Sequence, residues 1–412
     1  MATNPPTPRI AGLDVIRGVA VMGILLANLP AFGLPEAAYF SPLAWGGSTG
    51  ASLWAWFATF VLVEGKMRGL FSALFGASML LVIDRANARG DDAAAVHFRR
   101  MAVLFAIGCL HLYLFWWGDI LSHYALVGAF AYMAHRLPVR WLLIVAAALI
   151  ALQTIQGATA GLAFAASAAR DSPDRVATWT AYAAGFGVPP AAAIAHEIAA
   201  MRGGFAGGIA ERWSNASGPL SLLPVIGPQT LSAMLLGMAG YRSGFLTGAW
   251  PRPRYHRWAL GCLALAAPLY VALGANTLAH GFFPPWVFFA SIVASEPLRP
   301  VMATGYAALI ILATGSGGPL AARVAAVGRT AFTNYLGTTL LMTFVFDGWG
   351  LGRFGRWSRA DLYLLAPPVW GLMLAWSQPW LARYRYGPLE WVWRSLARFA
   401  PQRMQVRDDA TS

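Results

Sequence analysis

Long apolar stretches recur along the chain and are separated by short loops rich in arginine. This pattern leaves few folds open. A helix that crosses a bilayer needs about 20 mostly apolar residues, and candidate segments lie at 14–33, 67–83, 100–117, 119–135, 141–166, 226–246, 257–276, 300–316, 330–346 and 360–381. In lipid every backbone N–H and C=O must be paired within the chain, so segments of this length are helices. The sequence therefore predicts an all-α, polytopic integral membrane helix bundle of about ten transmembrane helices. The chain is 58% hydrophobic and 11% charged. A soluble domain carries about 25% charged residues, so the excess apolar surface has lipid as its partner.

The formal charge of +13 invites a nucleic-acid reading, but the basic residues form no face or stripe. They sit in loops: Arg85, Arg89, Arg99 and Arg100; Arg136 and Arg140; Arg242, Arg252, Arg254 and Arg257; Arg323 and Arg329. The tail adds Arg383, Arg385, Arg394, Arg398, Arg403 and Arg407. These loops alternate with poorer ones, which predicts both termini in the cytoplasm. Arg353, Arg356 and Arg359 break the pattern. The first span is read as a retained helix, because no small-residue cleavage site follows it. The bilayer of a bacterial inner membrane is the expected location, with no nucleic acid among the partners.

Four parts follow from this reading: 1–166, an N-terminal membrane half; 167–225, an extracytoplasmic loop of helical pieces; 226–383, a C-terminal membrane half; and 384–412, a cytoplasmic tail. Leu389, Trp391, Trp393 and Leu396 amid arginines make the tail an interfacial amphipathic helix. The stretch 52–64 is expected to lie in the interface, and the Pro-flanked 284–294 to be re-entrant or interfacial. Cys109 and Cys262 lie in apolar stretches and form no CxxC pair. His and Cys are too scattered to ligate a metal. There is no GxxxxGK[ST] or HExxH motif.

Ionisable residues inside spans are costly and are functional candidates. Asp14 and Arg17 share a face near the inner end of the first span; an ion pair is one reading and an anion site the other. Asn28 lies further along, as interhelical glue or as a ligand. Lys66 is the only lysine in the chain and is read as an interface anchor or a titratable group. The stretch Gly108 to Tyr124 reads as a helical hairpin turning at the outer interface, with Trp116 and Trp117 in the aromatic belt. Asp119 is placed to cap the returning helix. His111 lies about 9 Å below the turn, level with His123 and Tyr124, as a general base or as a satisfied intramembrane His. Arg329 is a positive-inside residue, with Asn334 and Tyr335 about one turn deeper.

Together these stretches resemble the YeiB family of bacterial inner-membrane proteins, with its C-terminal domain of unknown function. The matching pieces are Leu13-Asp14-Val15-Ile16-Arg17-Gly18 through Asn28, Ala31-Phe32-Gly33-Leu34-Pro35, Leu70-Phe71 with Leu74-Phe75-Gly76, and His111 with Gly118-Asp119-Ile120-Leu121. Gly328-Arg329, Asn334-Tyr335-Leu336 and Gly387-Pro388-Leu389-Glu390-Trp391-Val392-Trp393-Arg394 complete the match. The family is similar to transmembrane acyltransferases, including heparan-α-glucosaminide N-acetyltransferase. The resemblance implies transfer of an acyl group from cytoplasmic acyl-CoA (acetyl-CoA) to a glycan or small-molecule hydroxyl or amine outside. It implies His111 as base, with Asp119 orienting the acceptor and Lys66, Asn28 or Tyr124 at the oxyanion. Asp14, Arg17, Arg329, Asn334 and Tyr335 would serve the coenzyme. In the glucosaminide enzyme the catalytic His follows the first helix, whereas 34–51 here contains none. A small-solute or lipid transporter is the rival reading, and a second copy of the chain is a candidate partner.

Overall fold

The computed structural model describes residues 11–215, 218–315 and 317–406; Arg407 of the tail lies outside them. The regular elements among the described residues are all helices, apart from one isolated bridge between Tyr384 and Gln405. The helices are α1 (Ala11–Gly33), α2 (Gly50–Leu62), α3 (Lys66–Ala88), α4 (Ala93–Leu114), α5 (Leu121–Ala131) and α6 (Val139–Ala166). Then come α7 (Pro173–Phe186), α8 (Ala191–Arg202), α9 (Phe205–Asn215), α10 (Leu222–Arg242), α11 (Arg252–Ala279) and α12 (Pro284–Phe288). The last are α13 (Ser295–Thr314), α14 (Pro319–Arg329), α15 (Ala331–Phe346), α16 (Arg359–Leu362), α17 (Ala366–Arg383) and α18 (Pro388–Arg398).

Among the described residues, seven helical segments are long and apolar enough to cross a membrane. The remaining expected spans, 119–135, 330–346 and 360–381, take the form of α5, α15 and α17. The first two are short, and α17 is diluted by Pro367, Pro368, Pro379 and Arg383. One expectation needs correction. The stretch 284–294 is not a separate re-entrant piece: α12, a π-helical segment Phe289–Ala294 and α13 run on as one helix. The stretch 52–64 forms a helix of its own, α2, which turns at Gly65, in the left-handed region at φ 73°, and feeds α3.

α1 sits at the centre, with Ile16, Ala20, Leu25 and Leu29 buried. It packs against α3, α14 and α15. With lipid outside, apolar burial does not drive helix association, and close backbone approach does that work. Glycines supply it. A side chain at Gly328 would strike the Asp14 carbonyl, and one at Gly237 would strike the Ala73 backbone where α3 crosses α10. Arg359, one of the arginines on the unexpected side, is buried and donates to the Ala38 carbonyl. It is a tie for the 34–49 loop rather than a topology signal. The expected helical pieces of 167–225 are α7, α8 and α9, and α9 packs against the end of α4.

Candidate functional site

α4 carries His111, and the turn after it carries Asp119. Nδ1 of His111 lies 2.7 Å from Oδ1 of Asp119, and both side chains are buried. Oδ2 of Asp119 accepts from the Ser122 amide at 2.9 Å and the Ser122 hydroxyl at 2.7 Å. The carboxylate thus caps α5 and fixes the imidazole. With Nδ1–H given to the carboxylate, Nε2 carries the lone pair. Nε2 is buried and makes no hydrogen bond to the protein. The Tyr335 ring of α15 stands 5.6 Å away, centroid to centroid. Its hydroxyl is near the Ile120 backbone but lacks a partner of hydrogen-bond geometry. Trp116, stacked on Phe32 at 4.1 Å, closes the other side. Arg100 marks the Arg-rich end of α4, where its carbonyl accepts from the Trp393 indole; His111 is about 16 Å of helix deeper.

From this pair a polar seam crosses the bundle. His123 Nε2 lies 3.0 Å from the Thr230 hydroxyl of α10. The Tyr124 hydroxyl lies 2.7 Å from that of Ser72 on α3. One turn away, Arg68 donates to Gln229, and Gln229 donates to Glu296. Glu296 accepts from Arg299 Nη1 at 2.9 Å, and Glu64 lies 3.8 Å from Arg299 Nη2. Arg299 also donates to the carbonyl of Ser291, which the π-helical segment leaves accessible. Residue 299 is midway along the continuous helix Pro284–Thr314, with about 22 Å of helix on either side. A cavity of about 350 Å³ borders the seam, lined at one end by Arg68, Gln229, Glu296 and Arg299 and at the other by Trp250 and Arg254.

The C-terminal segment 240–400 matches the family described as a protein of unknown function (DUF418). The uncharacterized protein YeiB of Escherichia coli (strain K12) is 32% identical over 388 residues, covering 93% of this chain and 95% of YeiB. The chain belongs to the YeiB family. The uncharacterized protein YxaH of Bacillus subtilis (strain 168) is 29% identical over 96% of both chains. An uncharacterized 39.9 kDa protein from the amylase 3′ region of Bacillus acidopullulyticus is 35% identical over 29% of this chain and 32% of its own. No solved structure matches.

In this YeiB-family bundle the residues singled out from sequence separate into groups. His111, Asp119 and Tyr335 converge. Asp14 and Arg17 form an ion pair at 2.8 Å, and Arg17 also donates to Ser78 at 2.9 Å and to the Gly328 carbonyl at 3.4 Å. Arg17 is therefore committed to the protein and is poorly placed to take a phosphate. Arg329, half-buried, follows Gly328 directly. Asn334 turns away from Tyr335, donating to Thr330 at 3.0 Å and accepting from the Trp376 indole at 2.9 Å. Asn28 is half-buried on α1 and joins neither cluster.

Three expectations are corrected here. Lys66 is no interface anchor. It is fully buried, donating to the Phe60 carbonyl, with Nζ 3.3 Å from the Tyr270 ring centroid. His123 and Tyr124 do not face His111, because α5 turns them toward α10 and α3. Trp116 is 2% exposed and belongs to no interfacial belt. Sequence reading also passed over Glu64, Arg68, Gln229, Glu296 and Arg299. The signal was Glu296-Pro297-Leu298-Arg299-Pro300, whose charges and prolines pushed the expected span boundary to 300. Pairing with Glu64, in the turn between α2 and α3, and with Gln229 of α10 is what lets that stretch stay helical inside the bundle.

Proposed function

We propose that this YeiB-family protein is a membrane-embedded acyltransferase of the bacterial inner membrane. In this reading it moves an acyl group from cytoplasmic acyl-CoA to a hydroxyl or amine on the far side. The observation that supports the reading is the buried His111–Asp119 pair, with Nε2 unpartnered and the Tyr335 ring 5.6 Å from the imidazole. Nε2 takes the proton of the acceptor hydroxyl as its oxygen attacks the thioester carbonyl carbon. Asp119 holds the imidazole in the required tautomer. Tyr335 donates to the developing oxyanion, in place of Lys66, which is bonded to the Phe60 carbonyl, and of Tyr124, which is paired with Ser72. The intermediate collapses with loss of thiolate, which recovers the proton from Nε2–H. The products are an ester and a thiol. In this reading Arg329 meets the coenzyme phosphates.

A second reading, passage of a small solute, is favoured by the mid-bundle Glu64–Arg299–Glu296 network beside a cavity. One experiment separates the two. Full-length protein in nanodiscs is given acetyl-CoA, and thiol release is followed for the native chain, His111→Ala, Asp119→Asn and Tyr335→Phe. Acyl transfer expects a loss of about 10²–10⁴-fold in His111→Ala, a smaller loss in Asp119→Asn, and a lower kcat at unchanged KM in Tyr335→Phe. Equal release from the native chain and His111→Ala would sink the enzyme reading and move the weight to passage.

A further inference from the structure

The cavity between α3, α10 and α13, with α6 and α11 at its sides, is not used by the His111 site. Gln229 and Ser243 of α10 both line it, so it runs along about 21 Å of helix. Its barrel is apolar, with Ala73, Leu236, Ala303 and Ala307 on the wall. Its mouth lies at the Arg-rich end, where the Arg254 guanidinium sits 3.6 Å from the Trp250 ring centroid. Its deep end is polar, at Arg68, Gln229 and Arg299.

The two guanidiniums at the deep end are not equivalent. Arg299 has Glu296 at 2.9 Å and Glu64 at 3.8 Å. Arg68 has, among the described residues, no carboxylate within ion-pair distance, and its side chain donates to one neutral amide, that of Gln229. A guanidinium carries five N–H donors, and a charge inside a bilayer is retained where something balances it. Both nearby carboxylates are already spent on Arg299. An anion presented through the cavity is therefore the complement of Arg68. The barrel adds a second requirement, because a hydrophilic anion gains nothing from apolar walls. A chain gains about 0.8 kcal/mol for each methylene buried.

We infer that this cavity is a binding site for a single-chain anionic amphiphile, its carboxylate or phosphate head on Arg68 and its chain along the barrel toward Trp250. Arg254 at the mouth draws the anion to the cytoplasmic face. The inference is independent of the acyl-transfer reading, because His111 does not line the cavity.

The test is equilibrium dialysis of labelled decanoate against the full chain in neutral phosphatidylcholine nanodiscs, with empty nanodiscs subtracted. A saturable component is expected. Decyl phosphate should displace it; decanol and inorganic phosphate should not. Whether decanoate or decyl phosphate binds more tightly separates a fatty-acid source from a lipid-phosphate source. Arg68→Gln should weaken binding tenfold or more, Arg68→Lys should retain most of it, and Ala233→Phe, which fills the barrel, should abolish it. Absence of a saturable component overturns the inference. So does displacement by decanol as effective as by decyl phosphate, or a greater loss in Arg254→Gln than in Arg68→Gln. The comparison of decanoate with decanol needs only the native chain, so it decides the matter even where a variant does not fold.

Discussion

At the residue scale, glycine decides where helices meet. Gly237 and Gly69 are both helical with ordinary backbone angles, yet they differ in surroundings. A methyl at Gly237 overlaps the Ala73 backbone, whereas one at Gly69 meets nothing within 4 Å. Gly237→Ala is expected to cost about 1–3 kcal/mol, the range for overpacking a tight contact, or to displace α10 from α3. Gly69→Ala is expected to leave stability unchanged or to raise it slightly through helix propensity. Thermal unfolding of both variants in the same detergent checks the pair, and equal midpoints would contradict the packing argument. The same scale holds the chemistry. His111 differs from His97, whose Nε2 lies 3.0 Å from the Gly128 carbonyl, and from His123, which is paired with Thr230. Of these three, His111 alone has a carboxylate on one nitrogen and no protein partner on the other.

At the element scale, the stretch 319–346 is a broken helix, α14 and α15 meeting at Thr330. A break inside the bundle leaves the first amides of α15 without partners. Glu390 of α18 supplies them: its carboxylate accepts from the Phe332 amide at 2.8 Å and the Thr333 amide at 3.1 Å, and from the Thr333 hydroxyl. The Gly387 to Arg394 motif is thereby a clamp on the helix that carries Tyr335. Burial raises the Glu390 carboxyl above its ordinary range, against the pull of those donors. Glu390→Ala is expected to destabilise by about 0.5–2 kcal/mol, as loss of a cap does, and to release α18. Limited proteolysis should then remove the tail from the variant before the native chain. Identical cleavage rates would show that α18 is held by its tryptophans instead. A Trp393 indole already bonds the Arg100 carbonyl, so the tail joins α15 to α4, the two helices that bear Tyr335 and His111.

At the scale of the molecule, α8 and α9 form a cap over the hairpin that holds Asp119. Arg212 donates to the Leu114 carbonyl at 2.8 Å and lies 3.6 Å from Asp347. Glu197 of α8 accepts from the Glu36 amide at 2.8 Å. Its carboxyl is pushed up from 4.5 to about 7 by burial first, then by Glu36 and Glu211. A carboxyl raised in the folded state is protonated there while the unfolded chain is already ionised. Its contribution is thus fully present below the ordinary value and is lost as pH rises from about 4.5 to about 7. Asp347, pushed up to about 7 by burial despite Arg212, acts in the same direction. The cap should dock more tightly at pH 5.5 than at pH 8. Hydrogen exchange over α8 and α9, corrected for intrinsic rates, should show more protection at the lower pH. Glu197→Gln should flatten the difference, and an unchanged pH response in that variant would remove Glu197 from the account.

The membrane-bundle class was legible in the amino-acid order because hydropathy and helix length are local properties. The broad placement of α1, α4 and α6, the amphipathic α18, the Asp14–Arg17 pair and the His111 hairpin could be read the same way. Three things were decided only by tertiary structure. The polar run at 296–300 stays inside a continuous helix because Glu64 and Gln229, far away in sequence, satisfy it. Tyr335, and not Lys66, Asn28 or Tyr124, meets His111, because helix rotation about its axis is set by neighbours and not by span boundaries. Arg68 and Arg299 look alike in sequence and line the same cavity, yet packing gives Arg299 two carboxylates and Arg68 a neutral amide. The local code fixes which segments are helices, and which polar groups share a low-dielectric space depends on packing between distant segments.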